Sequence, residues 1–167
     1  GQRLLAEASC LVAADRFPWA MASAPAEPLA KVGRIHAQIG AGLYLSAFAN
    51  LRRLLTDSPE IIGAKYDAKL LPTPRRTLVI ADQLRDDIKG GTGMAFEASL
   101  LLAYLGHASG NSRMLEDGLQ ALDAKVAADD KADKALVDLV KQIWGPAVAK
   151  SDYWNLVRLR SRPDQPR

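Results

Sequence analysis

The chain has 167 residues, 49% of them apolar and 25% charged, with a formal net charge of +3. That is long enough for one domain with a sizeable core, too apolar for a disordered segment, and too weakly basic for a nucleic-acid footprint on charge alone. A single cysteine, Cys10, excludes an internal disulfide, and its neighbours Leu4, Leu5, Ala8 and Leu11 mark it as a buried structural thiol.

Alanine and leucine dominate and β-branched runs are scarce, so composition points to helix. No apolar run reaches the roughly 18 residues needed to span a bilayer. The sequence starts at Gly1 with no methionine, as expected of a piece of a longer protein, so the compartment stays open.

In chain order, Leu4, Leu5, Ala8, Leu11, Val12 and Phe17 predict a helix over residues 3–17. "PWAMASAPAEP" breaks it and holds Trp19. A second helix runs from about Leu29 to Ile39, and Gly40 and Gly42 let the chain turn. Leu43 to Thr56 follows with a wide apolar face. "DSPE" then signals a new start, with Ser58 as cap and Pro59 at the first position, for a helix from Glu60 to about Leu71. "PTP" halts it. Further helices are expected over Arg75–Lys89, Met94–His107 and Met114–Val126. Two more are expected, one through "ADDKADKALVDLVKQIWG" and a last one through "AKSDYWNLVRLR". "TLVIA" reads as mid-helix, so no strand is expected. The expected architecture is all-α, eight to ten short helices joined by tight turns.

Sliding the chain along itself by 34 residues brings Pro25 onto Pro59, Ala47 onto Ala81, and Leu54 onto Ile88, Leu122 and Leu156. Gly42 meets Gly110 two periods on, and each glycine separates two predicted helices. Around Gly42 the pattern continues through Tyr44, Ala47, Phe48, Leu51, Leu54 and Pro59. This stretch resembles the tetratricopeptide repeat, whose unit is two antiparallel helices in about 34 residues. "LLLAYLGHASGNSRMLEDGLQAL" is similar through Leu102, Ala103, Gly110, Leu119 and Leu122, with Leu115 in place of the small residue. The unit around 62–95 departs from the pattern at Pro72 and Pro74.

The resemblance implies antiparallel helix pairs stacked as a short right-handed solenoid over residues 29–160. An N-terminal helix with its proline-rich loop would precede it (1–28), and a basic tail would follow (161–167). Neighbouring pairs in such an array shield one another's apolar faces and leave a concave surface. It further implies a non-catalytic scaffold that binds a peptide or a partner helix in that groove, without cofactor. The groove positions would be Tyr66, Leu100, Tyr104, His107, Lys134, Asp138 and Lys141, with His36 in the preceding unit. Tyr104 and His107, three apart on one face, would form an aromatic–imidazole platform. The family's cluster for holding a terminal carboxylate is not recognisable. Self-association with a second copy also stays open.

The residues themselves argue against chemistry. "KGGTG" (Lys89 to Gly93) lacks the preceding strand and following lysine of a phosphate loop and reads as a turn. His36 and His107 are the only histidines and have no metal-ligand spacing, so no metal site is expected. Asp86–Asp87 and Asp129–Asp130 read as solvated helix ends, and Trp19, Trp144 and Trp154 as packing residues. An enzyme is not expected. The rival reading is a compact helical ligand-binding or dimerisation domain of a regulatory protein, with a closed apolar cavity lined by Met94, Phe96, Leu101 and Trp144. A phosphate-binding role for the arginine tail "RLRSRPDQPR" is the weakest option, and nucleic acid is not the expected partner.

Overall fold

The computed structural model describes residues 28–91, 93–126 and 131–160. The helix expected over 3–17, Cys10, the loop with Trp19, the Asp129–Asp130 pair, the tail beyond Arg160 and the side chain of Trp154 lie outside the described residues. Among the described residues the chain is all-α, with six α-helices, two 3-10 turns and no strand. They are α1 (Pro28–Ala41), α2 (Tyr44–Asp57), α3 (Pro74–Lys89), α4 (Ala95–Ser109), α5 (Ser112–Lys125) and α6 (Lys131–Arg160).

Two turns are built alike. Gly42 (φ 79°) and Gly110 (φ 71°) take the left-handed conformation that a Cβ disfavours. Each closes a Schellman turn. The amide of Leu43 bonds the Gln38 carbonyl and that of Gly42 the Ile39 carbonyl; Asn111 bonds Gly106 and Gly110 bonds His107 in the same way. The helix ends Ala41 and Ser109, the starts Tyr44 and Ser112, and the ends Asp57 and Lys125 are each 68 residues apart. The Asn111 side chain then caps α5 by accepting from the Met114 amide at 3.1 Å.

Two expectations are corrected. Residues 60–71 do not form a helix; they hold the short 3-10 turns Pro59–Ile61 and Ala68–Leu70 with irregular chain between. Gly63 weakens helix there and Pro72 disfavours it at Leu71, while tertiary donors take the carbonyls of Ile62 and Ala64. The second proline of "PTP" opens α3 rather than ending a helix, with Thr73 accepting from the Arg76 amide at 3.3 Å. The last two expected helices are one, α6, which runs through Pro146. One 34-residue step beyond Asn111 falls on Gly145, inside α6, and one step before it on Thr77, inside α3, so the glycine turn recurs at neither position.

α4 lies at the centre, packed on α5, α3 and α2, and α1 packs on α2 and α3 while α6 packs on α5. Twelve of the fifteen residues of α4 are buried, so it has no polar face to turn to water. Its contact with α5 depends on missing side chains. A Cβ on Gly106 would lie 2.3 Å from the Leu115 amide nitrogen, and one on Gly118 would lie 2.3 Å from that of Ala103. Leu51, Leu55, Ile80, Leu84, Leu101, Leu105 and Trp144 fill the surrounding core. The repeat positions Ala47, Leu54 and Ala81 are all buried in it. Tyr44 is half-buried with its hydroxyl donating to Gln83 at 2.7 Å, and Pro59 begins the first 3-10 turn.

Candidate functional site

The residues that sequence reasoning assigned to a groove converge, but below the surface. His36 comes from α1, Tyr104 and His107 from one face of α4, Trp144 from α6, and Lys65 and Tyr66 from the irregular segment that crosses them. Tyr104, His36 and His107 are 3%, 2% and 5% exposed, and Trp144 is fully buried. The expected open platform is therefore corrected: a solenoid helix would leave this face free, whereas here residues 62–70 lie over it. Tyr66 is half-buried at its edge.

The contacts are specific. The His107 imidazole stacks on the Trp144 indole, centroids 5.1 Å apart and planes 18° apart. Tyr104 also lies tilted against Trp144, centroids 6.3 Å apart. His36 Nε2 is 2.8 Å from the Tyr104 hydroxyl, and Tyr66 meets the His36 ring edge-on at 5.3 Å. The Tyr66 hydroxyl also faces that of Tyr104 closely enough for each to influence the other's ionisation. Trp144 Nε1 donates to the Ile62 carbonyl at 2.7 Å and fastens the segment at one point. His107 Nε2 lies 3.2 Å from the Ala64 carbonyl, which fixes the tautomer: Nε2 carries the proton and Nδ1 is the bare acceptor. Lys65 Nζ sits 3.3 Å from that Nδ1 and donates to the His107 carbonyl at 2.6 Å.

Electrostatics follow from burial. Desolvation brings the His36 pKa down to about 4. The Leu70 carbonyl opposes this without meeting hydrogen-bond geometry, since His36 Nδ1 has no such partner among the described residues. His107 is also brought to about 4, chiefly by burial and then by the Lys65 charge, against the carbonyls of Ala64 and Gly63. Burial raises the pKa of Tyr104 well above the ordinary phenol value, and that of Tyr66 less, while it lowers that of Lys65. At neutral pH both imidazoles and both phenols are therefore uncharged.

The other expected groove residues are elsewhere. Leu100 is fully buried in the core. Lys134 and Asp138 are exposed on α6, and Lys141 pairs with Asp123 at 2.7 Å. Sequence reasoning missed Lys65 and the carbonyls of Ile62 and Ala64. The signal was available in part: three neighbouring residues that each need a buried polar partner, Tyr104, His107 and Trp144, imply a polar segment over them.

Of the residues given to a closed cavity, Leu101 and Trp144 are packed in the core, Met94 is half-buried, and Phe96 meets Phe48 edge-on at 6.1 Å. Two open clefts flank α3. One, of about 460 Å³, is lined by Tyr44, Arg76, Gln83, Asp86 and Asp87. The other, of about 490 Å³, is lined by Arg85, Lys89, Arg113, Asp117 and Gln120. Arg85 is held there by Asp117 at 2.8 Å, and Arg76 donates to the Gly40 carbonyl at 3.0 Å. Among the described residues, no group of three His, Cys, Asp or Glu side chains could hold a metal ion, and no helix is long and apolar enough to cross a membrane. Compared with protein-family models, curated proteins and solved structures, the chain matches none of them.

Proposed function

We propose that the chain is a non-catalytic interaction module of tetratricopeptide-like helix pairs that binds a peptide or a helix of a partner protein. The observation that carries the reading is the 68-residue correspondence of α1–α2 with α4–α5, two periods of about 34 residues, down to the same Schellman turn. Composition and burial also favour it over catalysis, because each imidazole is held neutral and engaged with neighbouring aromatic or carbonyl groups. With Tyr104 and His107 buried, the partner contacts fall to the accessible side of α6, where Lys134, Asp138 and Lys141 follow one another at helical spacing.

The test is capture from an extract of the source cells on wild-type chain and on Lys134→Glu/Asp138→Lys/Lys141→Glu, both with unchanged helicity. A protein held by the wild type and lost by the variant supports the module. Equal capture by both removes α6 as the contact. A second reading, the compact ligand-binding or dimerisation domain, is favoured by α4, which is enclosed on all sides as in the middle of a bundle. Thermal stabilisation by a small apolar ligand, with no partner captured, would turn the conclusion that way.

A further inference from the structure

We propose that Lys65 is an acylation site: a nucleophilic amine positioned by the His107 carbonyl, with His107 Nδ1 as its proton acceptor, that takes acyl groups from acyl thioesters. The proposal stands on the local geometry and does not depend on the interaction reading.

Three observations build it. First, the amine has a fixed place. Its 2.6 Å bond to the His107 carbonyl restrains a side chain that otherwise samples many rotamers, and that bond survives deprotonation because an amine keeps two N–H groups. Second, a base of the right tautomer stands beside it. The Ala64 carbonyl accepts a hydrogen bond from Nε2–H, which leaves the Nδ1 lone pair facing Lys65 Nζ at 3.3 Å. The ring cannot turn away, since it is stacked on Trp144. Third, the residue is open to reagents although its neighbours are not: Lys65 is exposed, while His107 is buried. Partial desolvation, which lowers its pKa, raises the fraction of free amine in the same direction. Lys141 differs in its partner, which is the Asp123 carboxylate at 2.7 Å.

The step balances without an oxidant. The Lys65 ammonium first releases one proton to water. The neutral Nζ lone pair then attacks the acyl carbon of the thioester, and a C–N bond forms. A proton on Nζ passes to His107 Nδ1, the C–S bond breaks, and the thiolate leaves with the electron pair and collects that proton. The products are an amide on Lys65 and a free thiol. The imidazolium formed in passing keeps its Nε2–H bond to the Ala64 carbonyl.

The experiment treats the folded chain with limiting S-acetyl-N-acetylcysteamine near neutral pH and follows each lysine by peptide mass spectrometry. Lys69, Lys89 and Lys134, all exposed, are the internal standards. Lys65 is expected to acetylate roughly tenfold faster than their mean, well below what a base matched to neutral pH supplies, because burial keeps His107 a weak base. In urea the four rates should converge, because the arrangement is then gone. His107→Gln, checked by thermal melting, should bring the folded ratio below about threefold. Should His107→Gln fail to fold, the folded-against-urea contrast in the wild type decides. A folded Lys65 no faster than the standards, or a preference that persists in urea or in folded His107→Gln, overturns the proposal.

Discussion

Substituting Gly118 by alanine tests the tightest contact in the structure. The new Cβ would stand 2.3 Å from the Ala103 nitrogen and 2.6 Å from its Cα, and no rotamer change relieves a clash with backbone. Ordinary contact begins near 3.4 Å, so α4 and α5 must separate by about 1 Å, which forfeits dispersion along their shared face. Overpacking of this kind costs about 1–3 kcal/mol, and the higher end applies because the obstacle cannot repack. The gain in helix propensity of alanine over glycine offsets about 1 kcal/mol of it at most. For a chain this long the net loss of about 2 kcal/mol lowers Tm by roughly 4–8 °C. Gly106→Ala, facing the backbone of Met114 and Leu115, should behave alike, whereas Gly93→Ala, with nothing within 4 Å, should stay within about 0.5 kcal/mol of wild type. Calorimetry or circular dichroism reads all three. Should Gly106→Ala and Gly118→Ala melt with the wild type, the close α4–α5 crossing is wrong.

Trp144→Phe keeps an aromatic ring but removes the donor to the Ile62 carbonyl; urea denaturation should show a loss of about 1–3 kcal/mol, and an unchanged midpoint would mean that the carbonyl is not held by the indole. The two histidines make folding acid-sensitive with a defined sign. Their folded pKa values lie near 4, below the ordinary 6.5, so the neutral rings stabilise the fold fully above pH 6.5, and that stability is lost as pH falls toward 4. Each ring accounts for up to about 3 kcal/mol, so His36→Gln should visibly flatten the stability curve between pH 6.5 and 4. A wild-type curve that is flat across this window would refute the burial of both rings. Gly42→Ala and Gly110→Ala place a Cβ on left-handed backbone and should each cost about 1–2 kcal/mol, with asparagine tolerated better, as a chemical-denaturation series would show.

Local chemistry carried much of the helix map. Gly42, Gly110 and Asn111 act within a few residues of themselves, so their turns and caps could be read before any tertiary contact was known. The segment 60–71 could not, because its shape is decided by partners far along the chain. Trp144 and His107 take carbonyls that a helix would have used, and this competition leaves no local trace. The stretch around Pro146 departs in the opposite direction, since two helices were expected there and one is found. A proline removes one helical hydrogen bond, and in α6 the neighbouring turns carry the helix past the loss. The site was half legible for a related reason. The register brought Tyr66, Tyr104, His107 and His36 together, yet periodicity cannot tell a helix with one buried face from one buried all round, and α4 is the second kind.

The enclosure of α4 has a consequence for synthesis as well as for the finished fold. When this stretch leaves the ribosome, α1 to α3 already exist but α5 and α6 do not, so part of a helix with no polar side is left facing water. An apolar segment of this sort, waiting for later chain, is a point of aggregation and the place a holding chaperone would grip. Ribosome-bound chains from which α4 has emerged and α5 has not should therefore be captured by such chaperones more strongly than chains stopped after α5 has emerged.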